Sequence, residues 1–155
     1  SQAEPYIAFT DLAVMQGAGP TPTPSGPLPP LIVFQGTADG TVRSSNAERI
    51  VGQWSGAWTG AADKGLRPTL GKGRQTRKDP PRTASGNGPR PHRITRWSVA
   101  RQVVLELWVV EGLGHAWSGG SVQGTYSDRR GPRASTAMWR FFAKHTASDP
   151  GLIGR

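Results

Sequence analysis

The sequence predicts an α/β fold built on a parallel sheet, and two observations carry this prediction. Two apolar runs, LIVFQG at 31–36 and VVLELWVVE at 103–111, have the β-branched and aromatic content of buried strands. Segments in which apolar residues recur at helical spacing alternate with these runs, as in sheets covered by helices. Two strands alone leave open edges, so we expect other strands, or a larger domain, to complete the sheet.

The segments before the first strand are predicted to be a short helix and a linker. Residues 6–16 (YIAFTDLAVMQ) place apolar side chains at helical spacing. Residues 17–30 (GAGPTPTPSGPLPP) are rich in proline and lack periodicity, which favours an extended, exposed connector to the strand at 31–36.

Two further helices follow from apolar periodicity. One runs from 47 to 54, and either Ser45 or Asn46 can cap its N-terminus. The other is the amphipathic segment STAMWRFFAKH at 135–145, with Ser135 as the candidate cap and basic residues that suit its C-terminal dipole. The order of elements is therefore helix, strand, helix, strand, helix.

The middle of the chain lacks periodicity from 56 to 91, which predicts a loop, and strands resume with ITRWSV at 94–99. We divide the chain into residues 1–58, with a helix, a strand and the loop after it; 59–92, a basic Gly- and Pro-rich insertion; and 93–155, with a strand, a histidine-bearing loop and the last helix. The insertion is expected to be the least ordered part, because little apolar surface offsets its ordering entropy.

The net charge of +9 belongs to one stretch of the chain. Residues 63–101 contain eleven of the 19 Lys and Arg residues and two of the ten acidic residues, so the remainder is neutral. Such a stretch could bind nucleic acid or another anionic surface, with Trp97 stacking on a base. A solvated basic insertion is the simpler interpretation, so a nucleic-acid partner is not the favoured prediction.

Composition also excludes several classes of protein. Cysteine is absent, which excludes a disulfide framework, a thiolate metal site and a cysteine nucleophile. No His, Asp or Glu cluster has the spacing of metal ligands, so neither a metal nor another cofactor is predicted. No stretch has the roughly 18 apolar residues of a membrane span. The opening SQAEPY lacks methionine, and a processed product or a fragment is expected.

The two predicted strand ends carry the candidate catalytic residues. LIVFQG is followed by TADG, which contains Asp39, and VVLELWVVE is followed by GLGHAW, which contains His115. Loops at the carboxyl ends of neighbouring parallel strands meet at one sheet edge, where sites form. An aspartate beside a histidine fixes its tautomer and stabilises the imidazolium, as in a serine hydrolase. We do not assign a catalytic role to the other two histidines. His92 is interpreted as a solvated residue of the basic loop, and His145 as a residue at the end of the last helix that interacts with the helix dipole.

Several motifs together resemble the C-terminal half of the poly(3-hydroxybutyrate) depolymerase family of esterases, which are α/β-hydrolases. They are LIVFQGTADGTV, GLGHAWSGG, the GTYSD stretch at 124–128 and the terminal amphipathic helix. The resemblance covers about 1–58 and 93–145. It implies that Asp39 is the triad acid and His115 the base, with Trp117 near the mouth of the site. Packing of the loop explains Trp117 equally well.

The sequence departs from this family at the nucleophile. No Gly-x-Ser-x-Gly pentapeptide is present, although Ser25, Ser55, Ser85 and Ser118 each precede a glycine. Losing a triad serine costs about 10⁶ in turnover in subtilisin. We therefore expect a chain that supplies acid and base to a missing N-terminal half and is inactive alone. Polymeric, short-chain and feruloyl esters all remain candidate substrates. The resemblance favours an extracellular location, and the compartment is otherwise open.

Overall fold

The computed structural model describes residues 28–65, 68–80 and 88–145, which form a mixed α/β structure. Its main sheet has four strands, and a small second sheet has two. The elements in chain order are β1 (Leu31–Gly36), α1 (Ser44–Asp63), β2 (Arg74–Lys78), β3 (His92–Val99), β4 (Gln102–Val110), β5 (Trp117–Ser118), β6 (Ser127–Asp128), α2 (Ala134–Phe142) and a 3-10 turn (Ala143–His145). The helix predicted at 6–16 lies outside the described residues.

The main sheet is mixed, whereas the sequence predicted a parallel sheet. Its strand order is β1-β4-β3-β2, and only the β1–β4 pair is parallel. β3 and β4 form a hairpin because a two-residue turn, Ala100–Arg101, joins them with both residues at positive φ. Such turns match the twist of antiparallel strands and reverse the chain directly. The parallel pair is the part that aligns the carboxyl ends of β1 and β4.

Helix α1 covers one face of the sheet and extends nine residues beyond the predicted end at Trp54. Trp54 and Trp58, one turn apart, stack with ring centroids 5.0 Å apart and pack into a core with Leu105. Burial of Trp58 outweighs the low helix propensity of the glycines in this helix, which had obscured the pattern. The predicted caps Ser45 and Asn46 are wrong, because the helix begins at Ser44 without a side-chain cap.

Strand β2 lies inside the segment that was predicted to be a loop. All five of its residues, RQTRK, are exposed, and they pair in antiparallel register with β3 from Arg74↔Arg96 to Lys78↔His92. No apolar alternation marks it because neither of its faces is buried. Charged residues are typical of edge strands, where they discourage further pairing. The loop prediction is therefore wrong for residues 74–78.

Helix α2 and the 3-10 turn after it pack toward β1 and β4. Phe141 is buried, and the His145 ring lies 2.8 Å from the Val103 carbonyl oxygen through its Nε2. The predicted cap Ser135 is wrong, since the helix begins at Ala134 with no side-chain cap. His145 thus contacts β4 directly, in addition to lying at the end of a helix as predicted. Within the described residues, no helix is long and apolar enough to cross a membrane.

Candidate active site

The loop after β1 holds Asp39 through its own backbone. One carboxylate oxygen, Oδ1, accepts hydrogen bonds from the backbone N–H groups of Thr41 at 2.9 Å and Val42 at 2.8 Å. An Asp that accepts from backbone groups two and three residues later forms a local turn. The buried Gln35 side chain donates to the Val42 carbonyl at 3.2 Å, which ties this turn back to the strand. The second oxygen of Asp39, Oδ2, does not take part in the turn.

The loop after β4 is bound to the loop after β1 at several points. Thr37 donates its N–H to the Val110 carbonyl at 3.0 Å, and its side-chain oxygen accepts from the Gly112 N–H at 2.8 Å. The Ala38 N–H donates to the Leu113 carbonyl at 3.0 Å. Parallel pairing of β1 with β4 places both loops at the same edge, and these bonds hold them side by side.

These two loops bring Asp39 and His115 together. His115 Nδ1 lies 3.1 Å from Asp39 Oδ2, and the His115 side chain is 51 % exposed. Burial alone would raise the pKa of the Asp39 carboxyl, but hydrogen bonds from the Val42 N–H and the His115 ring outweigh it and lower that pKa. A carboxylate can only accept here, so the contact favours the tautomer of the neutral ring in which Nδ1 carries the proton.

The proximity expected from the strand ends is therefore present, while the catalytic roles of Asp39 and His115 remain predictions. No hydrogen bond joins Nε2 of His115 to another residue in the described part of the chain. A half-exposed histidine with one ring nitrogen oriented by a carboxylate has the arrangement that proton transfer requires.

The glycines around His115 are explained by close contacts. Gly112 has φ +66°, and a Cβ placed on it would meet Nη1 of Arg90 at 2.7 Å. Gly119 has φ +71°, and a Cβ there would meet the backbone of Arg133 at 2.5 Å. Glycine adopts this left-handed conformation at little cost and leaves room for approaching groups. The loop is therefore tightly fitted on both sides of the histidine.

Trp117 and Ser118 follow the histidine but differ in accessibility. Trp117 is 48 % exposed, and its indole N–H donates to the Ser135 hydroxyl on α2 at 3.2 Å. Ser118 is only 3 % exposed, and its hydroxyl donates to the Pro132 carbonyl at 2.7 Å. Trp117 is thus available to a ligand at the surface beside His115, whereas Ser118 is a structural residue.

The structure changes the interpretation of His92. It was predicted to be solvated in a loop, but it begins β3, is half-buried and stacks on Trp108 with centroids 5.5 Å apart. Trp108 stacks in turn on Phe34, so the three rings cross the sheet in a row. No local sequence pattern indicates this stack, because the three residues lie on three different strands.

Acidic side chains neutralise part of the basic stretch at 63–101. Its arginines bind carboxylates at 2.6–2.7 Å, and most of these carboxylates belong to the rest of the chain. The pairs are Arg77 with Asp79 and Glu111, Arg90 with Asp128, and Arg96 with Glu106. These pairs reduce the charge available to phosphates, so the structure adds nothing in favour of nucleic-acid binding.

Sequence reasoning missed Arg90 and Asp128, which flank the His115 loop. Asp128 ends the GTYSD stretch, whose only sequence signal is the family resemblance. The hydrogen bond from Arg90 Nε to Asp128 Oδ2, at 2.6 Å, spans 38 residues. No local spacing rule could have paired them.

No group of three or more His, Cys, Asp or Glu side chains in the described ranges lies together as metal ligands do. Comparison with protein-family models matched no family, and a search of curated proteins found no similar sequence.

Proposed function

We propose that Asp39 and His115 are the acid and base of a serine-dependent carboxylic ester hydrolase. The observation that carries this proposal is the 3.1 Å contact between His115 Nδ1 and Asp39 Oδ2 at the carboxyl edge of two parallel strands. This placement supports the proposal, because sites form at such an edge and a half-exposed histidine beside a carboxylate suits the acid–base part of a catalytic triad.

The chemistry follows from the orientation of the ring. Asp39 keeps the proton on Nδ1 of His115, so Nε2 can take a proton from a serine hydroxyl as that hydroxyl attacks the ester carbonyl. Nε2 then returns the proton to the leaving alcohol, which leaves an acyl-serine intermediate. A water molecule gives a proton to Nε2 and attacks this intermediate, which releases the carboxylic acid and returns the proton to the serine. Asp39 stabilises the imidazolium formed between these two transfers.

The nucleophilic serine, in this proposal, comes from a segment of the hydrolase domain that precedes this sequence. Ser118 cannot serve, because its hydroxyl is buried and bonded to Pro132. β1 lies at the end of the main sheet, and within the described residues no strand pairs with its outer edge. β1 is apolar, so its open edge suits another strand of the same sheet.

The proposed substrate class is a carboxylic ester. Trp117 supports a role in substrate contact, because its indole is half exposed beside His115 and is fixed to α2 through Ser135. A fixed aromatic ring offers contact area to an apolar acyl chain or to a feruloyl ring. Polymeric and small esters are both consistent with an open surface of this kind.

The proposal is tested by measuring hydrolysis of p-nitrophenyl butyrate by two proteins. One is the present chain alone, and the other is this chain joined to the N-terminal half of an esterase of the poly(3-hydroxybutyrate) depolymerase family. The present chain alone should not exceed a His115→Ala control. The joined protein should turn over, with a loss of about 10⁶ in His115→Ala and about 10⁴ in Asp39→Asn. His145→Ala is the matched control, because His145 lies against Val103 and away from the pair.

Labelling with a fluorophosphonate locates the nucleophile. The label should attach to a serine of the added half and to none in this chain. Ester turnover by the isolated chain, together with labelling of one of its own serines, would overturn the proposal.

A further inference from the structure

Arg90 and Asp128 form the most enclosed Arg–carboxylate pair of the described residues. Nε and Nη2 of Arg90 both lie 2.6 Å from Asp128 Oδ2, and the two side chains are only 17 % and 16 % exposed. The other oxygen, Oδ1, accepts the Arg130 N–H at 2.8 Å. The carboxylate therefore uses both oxygens as acceptors, which a neutral amide could not do.

This pair contacts both ends of the loop that carries His115. On one side, Nη1 of Arg90 donates to the Glu111 carbonyl at 3.2 Å, just after β4 ends. On the other side, the Asp128 carbonyl accepts the Gly119 N–H at 2.7 Å, just after β5. The ion pair thus joins residue 111 to residue 119 and closes the base of the loop between them.

His115 has little else to fix its position. Its ring is half exposed, and its one hydrogen bond within the described residues is to Asp39. The position of the ring therefore depends on the backbone that presents it. A displacement of about 1 Å in such a group can cost about 10²-fold in rate.

We propose that Arg90 and Asp128 are positioning residues, which hold the 111–119 loop so that His115 meets Asp39. The pair acts through the backbone and touches neither substrate nor the reacting atoms. Its catalytic consequence rests on the proposed esterase function, whereas its effect on the His115 ring can be measured without any activity.

The test is the tautomeric state of His115, read from the ¹⁵N chemical shifts of its ring nitrogens in the present chain at a pH where the ring is neutral. The parent should show mainly the Nδ1–H form, because Asp39 accepts that proton. In Asp128→Asn, the amide nitrogen must face a donor, either Arg90 or the Arg130 N–H, so the loop base opens. We expect the shifts to move toward the mixture of a free imidazole.

Two further variants separate positioning from general damage. Arg90→Lys keeps the charge but loses the fork that reaches Asp128 and Glu111 together, so an intermediate shift is expected. Glu106→Gln is the matched control, because it weakens the Arg96 pair and the Trp108 indole hydrogen bond on the same sheet. Within the described residues, no hydrogen bond or ion pair joins Glu106 to the 111–119 loop. The amide spectrum of β1 and β4 reports whether each variant retains the sheet.

The outcomes separate the two proposals. Parent-like His115 shifts in Asp128→Asn, or equal changes in Glu106→Gln, would overturn the positioning role and leave the proposed function standing. An inactive joined enzyme would overturn the proposed function and leave the tautomer result unaffected. If both hold, Asp128→Asn in the joined enzyme should lower kcat about 10²-fold, with a smaller effect on KM.

Discussion

The loops after β1 and β4 present the two members of the candidate site, but they are built differently. The β1 loop fixes Asp39 through backbone groups two and three residues away. The β4 loop has one local bond at His115, from the Ala116 N–H to the Gly114 carbonyl at 2.8 Å, and it does not involve the histidine side chain. The rest of this loop is held by Thr37, Arg90 and Asp128, which are distant in sequence. The side chain of the acid is thus fixed by local bonds, whereas the position of the base depends mainly on tertiary contacts.

This difference has a consequence for cooperativity. A local turn can form before the sheet is complete, while contacts over many residues form only when the sheet is folded. The geometry of the pair is therefore only as stable as the β4 loop. Substitutions that affect the β4 loop should have larger effects than similar ones in the β1 loop.

The largest effect is expected where the two loops touch. A Cβ at Gly36 would collide with the carbonyl oxygen of Leu113, which is backbone and cannot move aside independently. Gly36→Ala should destabilise the fold by about 3 kcal/mol, at the upper end of overpacking costs. Urea unfolding followed by tryptophan fluorescence measures this. A cost below that of Gly112→Ala would show that the contact between the loops is soft.

A glycine in each loop provides a matched comparison. Gly112→Ala forces a left-handed φ on alanine and crowds Arg90, so it should cost about 2 kcal/mol. Gly40→Ala meets nothing within 4 Å and should be neutral. Equal costs in thermal unfolding would contradict the distinction between the loops.

Acid pH should reduce the stability that Asp39 and Asp128 give to the fold, and substitution of each aspartate measures its contribution separately. Burial raises the pKa of Asp128, but hydrogen bonds from Arg90 and the Arg130 N–H outweigh it, so this pKa is lowered, as is that of Asp39. Each carboxylate therefore stabilises the fold above the unfolded-state pKa of about 3.9, and this is lost as pH falls through the lower folded-state value. In urea unfolding measured between pH 6 and pH 2, the free energy of unfolding should fall less in Asp128→Asn than in the parent.

In the same measurement, Asp39→Asn should also reduce the dependence of the free energy of unfolding on pH. Its effect should be smaller than that of Asp128→Asn, because Asp39 bonds mainly to neutral backbone groups whereas Asp128 faces a guanidinium. The reverse order would indicate that the β1 loop contributes more stability than its local bonds suggest.

A third loop, the β3–β4 turn, is remote from both of these loops and serves as a reference. Ala100 and Arg101 adopt φ +47° and +75°, which glycine or asparagine tolerates better. Arg101→Gly should therefore stabilise the fold by up to about 1 kcal/mol without altering the His115 shifts. A change in those shifts would mean that the hairpin and the β4 loop are coupled.

Parts of the molecule organised by local rules could be predicted from the sequence. LIVFQG and VVLELWVVE are strands, and the parallel pairing expected of them brings Asp39 near His115. Strand β2 could not be predicted, because it has no buried face and forms only against β3. The Arg90–Asp128 pair that closes the base of the His115 loop could not be predicted either, because the two side chains meet only after the chain has folded.

Among the described residues, the outer edge of β1 has no partner strand, and this bears on the solubility of the chain. β2 ends the sheet with exposed charges, whereas β1 ends it with LIVFQG, six residues without a charge. An uncharged apolar strand with free backbone groups is a template for cross-β growth. We therefore expect copies of the chain to pair through β1 at high concentration, and a complementary strand to compete with that pairing. The solubility of the present chain should thus rise when a complementary strand is supplied, as for a subunit that requires a chaperone until assembly.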